Sequence, residues 1–301
     1  TASRGQSSSA RERAVRASGR VGLAASSPGV RAGRAALVAL VLLYLGVVLI
    51  GPLAALAAEL AELGVLASLR AIVTPDAAAA LRMTLVLSLI AVLVDAGVVT
   101  AGALALVRHR FIGRSLVSAL ADLPLAVSPV VIGLAFLVLV GRDGLLAPVL
   151  DALGVRIVFA FPGLVVAVLF VTLPYTMREV AYVLEELGTS EEEAAATLGA
   201  TPWQTFWRVT LPNVRVALGY GLLMTMARSL GEFGAVLVLG GSISGQTQTA
   251  TTFIHDAIEE RELAAAYGMA ALLAAVSVAL LGVLEWAKGR RARAAAQEAS
   301  E

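Results

Sequence analysis

Residues Glu193-Ala194-Ala195, then three residues, Gly199, nine residues, and Val209-Thr210-Leu211-Pro212 occupy a short polar stretch between two long apolar ones. Ser190-Glu191-Glu192-Glu193 reads as a capping box, with Ser190 as N-cap and Glu193 reaching back. Three glutamates in a first turn also suit the positive end of a helix dipole. Residues 194–198 are mostly good helix formers, and Gly199 fits the left-handed position just past a helix end. Thr201-Pro202-Trp203-Gln204 is a second capping box, with proline at the first helical position. This second helix is expected to end before Pro212. The stretch predicts two short helices meeting at an angle near Gly199. Trp203, Phe206 and Trp207, at i, i+3 and i+4, form one aromatic stripe on the second. On its own, that stripe fits a membrane interface, where tryptophan is favoured.

The flanking sequence is that of a membrane protein. Of 301 residues, 58% are apolar and only 15% charged, and the mean hydropathy is +0.85. Soluble domains carry about 25% charged residues. Six apolar spans of about 20 residues each fit the bilayer rule: 35–57, 82–106, 116–140, 158–183, 214–239 and 264–286. The expected class is all-α and polytopic, with a transmembrane domain over 35–288 and the loop 184–213 between spans four and five. Prolines at 52, 124, 129, 162 and 174 are expected to kink helices within or at the ends of spans. The polar connection 142–157 has room for a short helix over 145–153.

Residues 1–34, with seven Arg and one Glu, read as a disordered basic tail, and 289–301 as a second tail. The first apolar run is long enough to span, which favours an uncleaved first helix over a signal peptide. Arg and Lys bias sets orientation. With the N-terminus inside, inner segments and adjoining span ends carry 17 of these residues and outer ones five. Both termini and the 184–213 loop are thereby expected in the cytoplasm.

Several chemistries are excluded or disfavoured. The chain has no cysteine, which removes disulfides, thiol catalysis and Cys-ligated metals. Its two histidines, His109 and His255, are far apart in sequence, which argues against a His-rich metal or haem site. The only lysine, Lys288, follows Ala287, and a nucleotide-binding phosphate loop needs Gly-Lys followed by Ser or Thr. Any ATP hydrolysis is therefore expected on another subunit, and no cofactor is expected here.

Charged residues inside spans ask for a reason, since each costs about 2.5–3.5 kcal/mol at a span centre. Arg228 and Glu232 lie four apart in the fifth span, on one expected helix face. They are open to two readings: a mutual ion pair locking the bundle, or, with Ser229, an arginine on a substrate route that attracts an oxyanion. Asp95 is mid-span, to be paired with Arg228 or another bundle residue, or protonated. Asp122, beside Pro124 and Pro129, fits interfacial snorkelling or a helix kink. The polar run 241–249 is expected on the outer side, where it is a candidate contact for a substrate-binding protein.

The spacing EAA-x3-G-x9-I-x-LP, with only the Ile changed to Val209, resembles the EAA loop of membrane subunits of ATP-binding-cassette importers. The resemblance implies a type I importer transmembrane domain whose loop docks onto an ATPase subunit. Glu193, Ala194, Ala195, Gly199, Trp203, Phe206, Val209, Leu211 and Pro212 are then the coupling residues, and the aromatic stripe is a coupling helix. The run from Ala227 to Ala235, continuing through Gly240, Gly241, Gly245, Thr247 and Thr249, resembles the fifth span of sulfate and molybdate permease subunits. It extends over roughly residues 80–288, and six spans with a long first one favour the sulfate/thiosulfate CysW type. The resemblance implies a bacterial inner-membrane permease subunit driven by alternating access. Its implied partners are ATPase subunits, a second related permease, an extracytoplasmic sulfate-binding protein and the lipid bilayer, with no nucleic acid. The alternatives are a molybdate or tungstate permease, or an ion-coupled secondary transporter that would use Asp95 and Glu232 as relay carboxylates and leave the EAA loop unexplained.

Overall fold

The computed structural model describes residues 28–298, and the expected tail over residues 1–27 lies outside them. Among the described residues every regular element is helical. The chain divides into two units, 1–58 and 59–301.

The first unit is helical from Pro28, so residues 28–34, expected as tail, already belong to a helix. Helix α1 (Pro28–Leu45) passes through a π-turn, Gly46–Ile50, into α2 (Gly51–Leu63). Leu37, Leu43, Leu49 and Ile50 are all exposed. A helix that is apolar all round belongs in a hydrocarbon environment.

The second unit holds the core. Its helices are α3 (Val65–Ala71), α4 (Pro75–Val94), α5 (Thr100–Arg108), α6 (Arg114–Ala126), α7 (Pro129–Val140) and α8 (Ala147–Leu153). They continue with α9 (Phe161–Leu187), α10 (Ser190–Thr197), α11 (Pro202–Thr205), α12 (Leu211–Leu230), α13 (Gly234–Gly240), α14 (Ala250–Glu259) and α15 (Leu263–Glu298). A π-turn, Asp95–Val99, joins α4 to α5, and another, Phe206–Thr210, joins α11 to α12. Among the described residues of both units, four helices are long and apolar enough to cross a membrane, and up to six if each of two bent pairs counts as one span.

Those bent pairs depart from the expected straight spans. The stretch 116–140 folds as α6 and α7, bent by 119°. Val127 and Ser128 are extended between them. Pro129 causes this locally, because its ring excludes the helical conformation for Ser128. Pro124 and Pro174, by contrast, are carried inside helices. The stretch 214–239 folds as α12 and α13, bent by 57° around residues 231–233. Helix α14, between the fifth and sixth spans, has no counterpart among the expected elements.

Helix α9 is the centre of the bundle and packs against α4, α5, α6, α12 and α13. Its Leu164, Ala167, Val168 and Val171 meet Leu87 and Ala91 of α4, Ile132 of α7, and Ala235, Val236 and Leu239 of α13. Lower on the same helix, Val180 and Leu184 meet Ala103 of α5 and Val214 of α12. Alanines at 91, 167, 235 and 103 sit among the larger side chains and let the helices approach, and helices in lipid gain by such close contact, not by leaving water. Gly221 shows how close: a Cβ there would stand 2.8 Å from the Thr176 Cα.

That close approach brings polar groups together. Thr225 of α12 donates to the Asp95 carboxylate at 2.6 Å, and its oxygen lies 3.0 Å from that of Thr176 on α9. All three residues are buried. Asp95 is thus bonded to Thr225, not to Arg228. An interhelical hydrogen bond of this kind contributes about 1 kcal/mol within a membrane. Here one network ties three spans at mid-height.

Candidate functional site

The polar loop folds as two helices meeting at a tight turn. Gly199 has φ +84°, its N–H donates to Ala196 at 3.0 Å, and the Ala200 N–H donates to Ala195 at 3.1 Å. This pair of bonds is a Schellman motif, which a left-handed glycine permits at no steric penalty. The second capping box is present: Gln204 N–H donates to Thr201 Oγ1, and Thr201 N–H to Gln204 Oε1 at 2.9 Å.

Two local expectations are corrected. The N-cap of α10 is Thr189, one residue early, and it makes no side-chain cap. The Thr189 hydroxyl instead donates to Glu193 Oε1 at 2.6 Å. The carboxylate of Glu193 thus meets a hydroxyl and not the backbone amide a capping box requires. The second helix also does not stop before Pro212. The Leu211 N–H reaches back to Phe206, and this widened turn carries the chain through Pro212 into α12. Residues 202–230 form one helix, with about 38 Å of axial rise from Trp203 to Arg228.

The loop is anchored by residues the sequence did not single out. Arg108, the last residue of α5, meets Glu192 through Nε at 2.9 Å and Nη2 at 3.2 Å. Its Nη1 donates to the Leu184 carbonyl at 2.9 Å. Thr210 donates to the same Glu192 at 2.8 Å, and Asn213 donates to Glu191. Arg108 and Glu192 together therefore join α5, α9, α10 and the π-turn that leads into α12. The partners are 84 residues apart in sequence for Arg108 and 18 for Thr210, beyond the reach of any local pattern. Glu191 and Glu192 were legible only as part of a charged first turn.

The EAA residues divide by burial. Val209 and Leu211 are half-buried, and Leu211 packs on the Val180, Leu184 and Val214 cluster. Ala195 is half-buried, while Glu193, Ala194, Gly199 and Pro212 are exposed. Trp203, Phe206 and Trp207 pack on one another with ring centroids 5.3 to 6.0 Å apart. Leu198 is 88% exposed, Trp203 69% and Trp207 51%. Three large apolar side chains presented together by a rigid turn form the kind of surface that meets a partner.

The far end of the 202–230 helix carries the second polar group. Arg228 Nη1 lies 2.7 Å from Glu232 Oε2. Glu232 is not on the helix with Arg228, because α12 ends at Leu230 and Glu232 sits in the break. There its Oε1 accepts from the Ala235 N–H at 3.1 Å. Ser229 is buried and donates to the Met226 carbonyl at 2.9 Å. Asp122 pairs with Arg178 at 2.7 Å, and both side chains stay well exposed. The 241–249 run is tied to the helices on either side of it: Ser242 and Gln248 both donate to Asp256 of α14, and Thr247 donates to the Gly240 carbonyl of α13 at 2.6 Å.

Comparisons with known proteins agree with this arrangement. The family model described as "Binding-protein-dependent transport system inner membrane component" matches residues 96–290. The chain is 45% identical over 217 residues to the sulfate transport system permease protein CysW of Synechococcus elongatus, covering 71% of this chain and 76% of that protein. It is 40% identical to CysW of Escherichia coli K12 over 76% of this chain and 80% of that one. With CysT of the same organism it is 38% identical over 70% of this chain and 76% of that protein. Among solved structures, a bacterial ABC transporter involved in alginate import superposes with a TM-score of 0.68 at 18% identity, covering 86% of this chain and 94% of that one. At that identity the likeness speaks for the fold alone. The chain belongs to the family of binding-protein-dependent transport system inner membrane components, as a multi-pass permease subunit.

Proposed function

We propose that this subunit carries sulfate or thiosulfate across a bacterial inner membrane by alternating access, with ATP hydrolysed on separate subunits that dock on residues 190–212. The observation that carries the cargo reading is the 45% identity to a sulfate permease over 71% of the chain. The exposed ridge of Leu198, Trp203 and Trp207 supports the docking reading, with Glu193, Ala194, Ala195 and Gly199 shaping the turn beside it. Phe206, Val209, Leu211 and Pro212 lead from that surface into α12. A push on the turn then reaches the Arg228, Ser229 and Glu232 region through one continuous helix.

Identity to both CysW and CysT proteins supports pairing with a second, related permease. An extracytoplasmic sulfate-binding protein delivers the anion on the side opposite the loop. The bias of Arg and Lys supports both termini and the loop in the cytoplasm. The test is uptake of labelled sulfate by proteoliposomes holding this chain, its paired permease, the ATPases and the binding protein. Uptake should require ATP and be competed by thiosulfate. Uptake without ATP, or competition by molybdate and not by thiosulfate, would sink the reading.

A further inference from the structure

The break at residues 231–233 interrupts the helix inside an apolar stretch. In a bilayer such irregular backbone is tolerated only against protein or a water-filled path, and broken helices in transporters gather at the substrate site. Arg228, at this break, is 27% exposed, and a charge facing lipid is costly. Among the described residues its guanidinium meets only Glu232, which leaves N–H groups free. Glu232 itself is buried, one oxygen on Arg228 and the other on the Ala235 amide. Its negative charge is hidden behind the arginine.

Helix α14 is pinned to the same break. Thr251 donates to the Glu232 carbonyl at 2.6 Å, and the His255 ring lies 5.3 Å from that of Phe233. Thr251 and His255 are one turn apart on one helix face and half-exposed, whereas Ala250, Thr252 and Ala257 are buried. His255 Nε2 has Glu259 at 3.5 Å on its far side. The break is thus flanked by the Arg228 guanidinium on one helix and the His255 imidazole on another, with the Thr251 hydroxyl committed to the Glu232 carbonyl and the Glu232 carboxylate turned inward.

We propose that His255 and Thr251 line the permeation route beside Arg228, and that His255 is a second donor to the passing tetrahedral oxyanion. This rests on the reading of the chain as an oxyanion permease subunit. Arg228 supplies a fixed charge, and the imidazole N–H supplies a directional contact on the opposite flank of the break.

The chain contains no cysteine, so His255→Cys and Thr251→Cys each introduce a single thiol in this subunit. The complete complex in membranes is treated with the anionic, membrane-impermeant reagent methanethiosulfonate ethylsulfonate. Labelling of this subunit is followed in nucleotide-free and vanadate-trapped states. Both thiols should react about tenfold faster than that of Leu89→Cys, an exposed apolar position on α4. Sulfate presented by the binding protein should slow the reaction at 255. A thiol at 255 that reacts no faster than the one at 89 in both states overturns the proposal.

A second readout separates contact from structure. His255→Leu should lower sulfate moved per ATP by about tenfold while binding-protein-stimulated ATPase activity persists. His255→Gln, which keeps an N–H donor, should restore most of it. Parallel loss of uptake and ATPase activity, without rescue by glutamine, makes His255 structural and defeats the proposal. A wild-type complex that moves no sulfate defeats the cargo reading instead, and the thiol reactivity still decides whether 255 lines the route.

Discussion

Glu192 lies 2.9 Å from Arg108 across the junction of the loop helix α10 and the end of α5. This contact makes the EAA loop part of the bundle. Without it, α10 would keep only its ties to Thr210 and Asn213 and lose its link to α5. With it, and with Thr210 on the same carboxylate, the loop is tied to three spans.

Arg108→Ala should therefore loosen coupling as well as stability. The side chains are 14% and 22% exposed, so the loss should fall below the range for fully buried pairs, at about 2 kcal/mol. A double-mutant cycle with Glu192→Gln, read by thermal unfolding of the purified subunit, should show a coupling energy of about 1 kcal/mol or more. Additive losses would mean that the two residues act independently.

Gly199 is held at φ +84°, and a Cβ added there would have no neighbour within 4 Å. Substitution there acts through backbone strain, not through a clash. Gly199→Ala should cost about 1–2 kcal/mol, Gly199→Asn less, and Gly199→Val more. The order Asn, Ala, Val should also hold for uptake in proteoliposomes. Equal loss for all three would point to a need for bare backbone against the ATPase.

Trp203→Ala should leave the fold of the subunit nearly unchanged, because its ring is largely exposed. Its effect should appear in association with the ATPase, with a loss of about 2 kcal/mol, or roughly 30-fold in affinity. Surface-immobilised complex and purified ATPase measure this directly. Unaltered affinity would return the aromatic stripe to the membrane interface.

Thr225→Val keeps the shape of the side chain and removes the donor to Asp95. A buried carboxylate then loses its bonded partner, at a cost of about 1–3 kcal/mol. Thr225→Ser should retain most of the stability, and Gly221→Ala should also destabilise by forcing α12 away from Thr176. Chemical denaturation in detergent ranks the variants. If Thr225→Val is as stable as the parent, the network does not hold these helices.

Much of this molecule was written locally. Hydropathy marked the apolar stretches, and fixed-spacing chemistry marked the Thr201 to Gln204 box and the Gly199 turn, because helix caps and left-handed glycines depend on residues within one turn. The i, i+3, i+4 aromatic stripe was legible for the same reason. Tertiary structure decided the rest. Whether Pro129 kinks or breaks a helix depends on what packs at the bend, and there the chain turned by 119°. Whether Glu192 or Glu193 anchors the loop depends on Arg108, 84 residues away from Glu192. Asp95 found Thr225 at a separation of 130 residues. Charges and hydroxyls inside a membrane must be matched with partners, and only the folding of distant helices against one another selects which partner each receives.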